Sequence, residues 1–125
     1  MIRAAVEVVE RNSATHGYTV LDRAHLSRMT FNDRSLEREV LQLFEQQAEL
    51  LVARMRKSAP PAIATLAHTL KGSAVGIGAG RVAQAAAATE HAAGRAPNDC
   101  DNAIDQLAQA VDEVRAEIAA MQCLQ

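Results

Sequence analysis

Towards the end of the chain, Ile104, Leu107, Val111, Val114, Ile118 and Met121 stand alternately three and four residues apart. Side chains at that spacing form one stripe along an α-helix, and such a stripe has to be buried against another apolar surface. The pattern therefore specifies a long helix that belongs to a bundle. The same period recurs upstream. Over 34–57, Leu36, Val40, Leu43, Phe44, Leu51 and Met55 keep mostly three- and four-residue spacings, behind Asp33 as a good N-cap. "KSAPP" ends this segment, and a second long helix is predicted over 62–75, with Pro60 and Pro61 at its start, where a missing N–H is harmless. Ile63, Leu66, Leu70, Ser73 and Ile77 fall on one side of it, the side assigned to the core. Gly76, Gly78 and Gly80 read as a turn, and an alanine-rich helix follows over 79–93.

One Tyr, two Phe and no Trp in 125 residues suit closely packed helices better than a sheet of aromatic and β-branched residues. Four long helices joined by short connectors favour an all-α fold, an antiparallel up-down-up-down four-helix bundle, because a short loop returns the chain alongside the helix it left. Two shorter helices, over 2–11 (apolar Ile2, Ala5, Val6 and Val9) and 22–29, are expected to lie across one end. The chain thus reads as an N-terminal extension, 1–19, and one bundle domain, 20–125.

A net charge of −2 provides no basic face, so nucleic acid is not an expected partner. No apolar run approaches the roughly 18–20 residues of a membrane span, and "MIRAAVEVVERN" mixes charges into its apolar residues, unlike a signal peptide. A cytoplasmic protein without a membrane segment is expected. Cys100 and Cys123 are too few and too distant for a zinc or redox signature, and read as ordinary helix residues. Without a Glu-x-x-His pair, His16, His25 and His91 read as surface histidines and no metal site is expected.

"HTLKGSAVGIGAG", residues 68–80, is different. His68 lies nearly opposite the assigned core side, on an outer stripe with Ala64, Lys71, Gly72 and Val75: small residues, one cation and one short apolar side chain. From Ser58 to Gly80 there is no acidic residue, and Lys71 is the only formal charge. Imidazole can carry a phosphoryl group on nitrogen, and an ammonium one turn away can offset the charge on its oxygens. A glycine inside a helix costs about 1 kcal/mol relative to alanine. It either packs against a neighbouring helix or clears space for a partner, and on an outer stripe the second reading is preferred. Thr69 and Ser73 point elsewhere, so no hydrolase triad forms around His68. The four glycines of 72–80 lack the Gly-Lys-Ser/Thr ending of a phosphate loop, so ATP binding is not expected.

The stretch "AHTLKGSAVGIGAGRVAQAAAATE" resembles the signature of the histidine-containing phosphotransfer (HPt) domains of bacterial phosphorelays, a His-x-x-Lys-Gly core followed by small residues, a glycine turn and a helix. "LDRAHLSRMTFNDRSLEREVLQLFEQQ" is similar to that family's first two helices, and the resemblance extends over about 20–122. It implies that His68 is the phosphoacceptor through Nε2, that Lys71 contacts the phosphoryl group, and that Gly72 leaves room for the partner. It also implies that Glu90 holds the imidazole through Nδ1. The alanine run before Glu90 departs from the larger leucines of many members. The implied function is a phosphocarrier, not an enzyme, acting between aspartates of response-regulator receiver domains, including that of a hybrid histidine kinase. It has no cofactor of its own, Mg²⁺ coming from the receiver. A monomer is expected, with a surface for the receiver at Ala64, Gly72, Val75 and apolar residues of an adjacent helix. The alternative is a non-catalytic helical scaffold, which has no use for an exposed His68–Lys71 pair.

Overall fold

The computed structural model describes residues 19–95 and 97–123. Among them there are five α-helices and one 3₁₀ turn, and no strand: α1 (Arg23–Met29), α2 (Arg34–Met55), α3 (Pro60–Ile77), α4 (Gly80–Arg95), the 3₁₀ turn Pro97–Asp99 and α5 (Cys100–Cys123). The helix expected over 2–11 lies outside the described residues. The fold is all-α. Each long helix packs on its neighbour in the chain, and α2 packs on α5, which closes the ring around one core.

Inter-helix pairs give the directions. Arg56–Asp105 (2.9 Å) and Glu49–Arg115 (2.7 Å) join α2 to α5, numbers falling on one helix as they rise on the other. Arg81–Glu113 (3.0 Å) and the Thr89 hydroxyl, which donates to the Ala103 carbonyl (3.3 Å), do the same between α4 and α5. Both contacts are antiparallel. On α5 the stripe read from sequence is the buried one: Ile104, Leu107, Val111, Val114 and Ile118 are all in the core.

Elsewhere the buried faces differ from those expected. On α2 the core side is Leu41, Phe44, Ala48, Leu51, Val52 and Met55, while Leu36 and Leu43 face solvent. On α3 it is Ile63, Ala67, Leu70, Ala74 and Ile77, with Leu66 and Ser73 only half-buried. The α3 face is thus turned by about 40° from the one assigned by large apolar residues. The cause is alanine. Ala67 and Ala74 on α3 and Ala86 on α4 are fully enclosed, and side chains this small let the two backbones approach. α3 and α4 make the most extensive helix pair of the bundle. The rotation moves Ala64 off the outer stripe; it is half-buried against the core.

α3 also runs longer than expected, from Pro60 through Gly76 to Ile77, and only Gly78 makes the turn. Gly78 has φ +87°, the left-handed conformation that closes a helix, and its N–H donates to the Ala74 carbonyl (3.0 Å). Gly80 already belongs to α4, which continues past the expected end to Arg95. α1 is capped by the Asp22 carboxylate, which accepts from His25 N–H (3.0 Å), and α2 by Asp33, which accepts from Leu36 N–H (3.1 Å). The segment before α1 is strapped over the α3–α4 turn, since Asp22 N–H donates to the Gly78 carbonyl (2.9 Å) and Arg81 N–H to that of Thr19 (3.0 Å).

Gly78 therefore joins two constraints, a left-handed backbone and a crowded site. A Cβ there would meet Asp22 Cβ at 3.1 Å and the Asp22 carbonyl at 3.2 Å. Gly78→Ala should destabilise the bundle by about 1–2 kcal/mol from the backbone term alone, read as a lower urea midpoint; an unchanged midpoint would contradict this account of the turn.

Candidate functional site

The geometry around His68 follows from the turned face of α3. The side chain is 67% exposed, so the imidazole projects from the bundle. Its Nδ1 lies 3.1 Å from Oε2 of Glu90 on α4, a residue 22 positions away that the alanine seam brings alongside. A carboxylate only accepts hydrogen bonds, so in a neutral His68 ring this contact calls for the proton on Nδ1, with the lone pair on Nε2. Lys71, one turn along α3 and half-buried, holds its Nζ 4.0 Å from Oε1 of the same carboxylate. Glu90 thus bridges the histidine and the lysine, one oxygen to each.

The ground beside the imidazole is clear. A Cβ built at Gly72 meets no atom within 4 Å, and the same is true at Gly76, one turn further on. Gly72 is therefore no packing residue. Two helical glycines four residues apart lie on one stripe, at a cost of about 1 kcal/mol each in helix propensity. Val75, beside them, is 60% exposed.

Of the residues selected from sequence, the structure brings His68, Lys71 and Glu90 together, keeps Gly72 and Val75 at the surface, and draws Ala64 partly under it. Thr69 donates its hydroxyl to the Thr65 carbonyl (3.1 Å), a bond within the helix. Two features were missed. Gly76, assigned to a turn, extends the cleared stripe; its spacing of four from Gly72 was the available signal. His25 is not a free surface residue: half-buried, its Nε2 lies 2.9 Å from the Gly76 carbonyl, tying α1 to the last turn of the His68 helix. His91 is exposed and pairs with Arg95 (3.1 Å). His16 lies outside the described residues.

Among the described residues no group of three or more His, Cys, Asp or Glu side chains is placed to hold a metal ion. No helix among them is long and apolar enough to cross a membrane. Cys100 is buried in α5 and Cys123 exposed near its end, both as free thiols.

Comparison with known proteins bears on the fold and the family. No curated protein matches the chain. Among solved structures, an X-ray structure of a proposed histidine-containing phosphotransfer protein from rice superposes with a TM-score of 0.73 at 16% identity, covering 88% of this chain and 84% of the rice one. At that identity the likeness speaks for the fold. A family model described as the Hpt domain matches residues 39–117, well over half the sequence and including His68, Lys71, Gly72 and Glu90. The chain belongs to the Hpt domain family.

Proposed function

We propose that this protein is a phosphocarrier in a phosphorelay, with His68 as the residue that carries the phosphoryl group. One observation supports the reading above the others: an exposed imidazole whose Nδ1 meets the Glu90 carboxylate, one turn from the open space at Gly72. In the proposed step the Nε2 lone pair attacks the phosphorus of an aspartyl phosphate on a receiver domain. The N–P bond forms, the acyl P–O bond breaks and the aspartate leaves as carboxylate. The ring keeps its Nδ1 proton, and the positive charge that develops on it faces Glu90. Lys71, one turn from His68, would move from Glu90 to the phosphoryl oxygens. Return transfer to the aspartate of a second receiver reverses these changes.

This division of labour asks little covalent chemistry of the bundle. Phosphoryl transfer depends mainly on alignment and charge neutralisation, and in this reading the receiver supplies Mg²⁺ and the second half of the site. The receiver, including one attached to a hybrid kinase, would enter over Gly72 and Gly76 with Val75 against its apolar surface. The lack of a side chain at Gly72 and Gly76 would let a second active site come within bonding distance of Nε2.

His68→Gln should abolish acceptance of phosphoryl from a phosphorylated receiver and leave the unfolding transition almost unmoved, because the side chain is exposed. Wild-type label should be lost in mild acid and survive alkali, as a phosphoramidate does; label retained by the variant would assign another acceptor. Lys71→Ala should lower the transfer rate by about 10²-fold while receiver affinity stays within a few-fold, since a cation aimed at developing charge acts in the transition state. A lost affinity with an unchanged maximal rate would reject that role. Gly72→Gln should raise stability by up to about 1 kcal/mol, glutamine being the better helix former in open space, and still stop transfer. Thermal unfolding and transfer measured on one sample decide it: a stable variant with normal transfer would mean that the partner does not approach over Gly72.

A further inference from the structure

On α2, Leu43 and Leu50 are 66% and 52% exposed and seven residues apart, hence on one side of the helix, and Leu43 shares a groove with Gly76 of α3. Gln46 and Gln47 lie between them on the same side, with Glu39 before and Arg54 after. Neither Glu39 nor Arg54 has an ion-pair partner among the described residues. The arrangement is palindromic. Leu43 and Leu50 are equidistant from the midpoint between Gln46 and Gln47, and so are Glu39 and Arg54.

We propose that this face of α2 pairs antiparallel with the same face of a second copy of the chain, about a two-fold axis between Gln46 and Gln47. Leu43 then packs on Leu50 of the partner subunit, and Glu39 meets Arg54 of the partner subunit, each contact made twice. A parallel pairing would set Glu39 against Glu39 and Arg54 against Arg54, like charges opposed, so the termini of the face select the antiparallel register. Self-complementarity is what an isologous two-fold interface requires and what an unrelated partner has no need of. The face spans about 22 Å of helix, and one helix pair buries less than the roughly 1,600 Å² of a standard interface, so the association is reversible. It departs from the monomer expected from sequence, and because Leu43 and Gln47 share a groove with Gly76 a receiver is the competing occupant of this face.

Sedimentation equilibrium on the unphosphorylated chain, from about 1 µM to about 500 µM, tests it. The weight-average mass should climb towards twice the monomer value and fall back on dilution. Glu39→Arg and Arg54→Glu, both at exposed sites, should each weaken association at least about tenfold, with helicity by circular dichroism unchanged. An equimolar mixture of the two variants should associate again, because a heterodimer restores both opposite-charge pairs. A wild type that stays monomeric throughout would overturn the proposal and leave Leu43 and Leu50 to an occupant of another kind, such as a receiver. Single variants that associate like the wild type, or a mixture that fails to recover, would overturn the register and with it the proposed interface.

Discussion

The seam of alanines between α3 and α4 is the constraint on which the His68 site rests. Ala67 and Ala74 on one helix and Ala86 on the other are fully enclosed, and their small volume sets how closely the two backbones approach and which way α3 is turned. Turned as it is, α3 points His68 out of the bundle but within 3.1 Å of Glu90, and brings Lys71 into reach of the same carboxylate. Larger side chains in the seam would separate the helices and part the imidazole from the carboxylate. The site is thus a product of core packing, and the contact that holds the imidazole is a consequence of helix spacing.

A second constraint acts on the outside of α3. Gly72 and Gly76 weaken the helix locally, yet neither has a neighbour that a side chain would strike. The helix is supported instead at its end. His25 bonds the Gly76 carbonyl, Gly78 closes the last turn, and the 19–22 segment is strapped over it. Stability lost along the exposed stripe is compensated by ties placed beyond it, which keeps the surface beside His68 bare without fraying the turn that carries it.

Much of this was legible in the sequence, and each failure has its own physical origin. The α5 stripe was read correctly because its apolar residues are large, β-branched or leucine, and periodic without interruption. The faces of α2 and α3 were misplaced because enclosed alanines carry as much packing information as leucines but little hydropathy, so Leu43 was counted inward and Ala67 and Ala74 were not counted at all. The extent of α3 was underestimated because glycine was taken as a turn signal at Gly76, where it lies in the helix, as well as at Gly78, where φ is +87°. The local spacing of His68, Lys71 and Gly72 was plain. Glu90's reach was not, because a contact between residues 22 positions apart depends on a helix separation that no local pattern encodes.

The central claim is that Glu90 fixes the His68 ring so that Nε2 is the nucleophile. Long-range ¹H–¹⁵N spectra of the imidazole, recorded before and after phosphorylation by a receiver, test it most directly. The account requires a neutral His68 with a protonated Nδ1 and a bare Nε2, and after transfer a phosphorus coupling on Nε2 alone. A His68 ring protonated on Nε2 in the resting protein, or a phosphoryl group found on Nδ1 or on another residue, would contradict it.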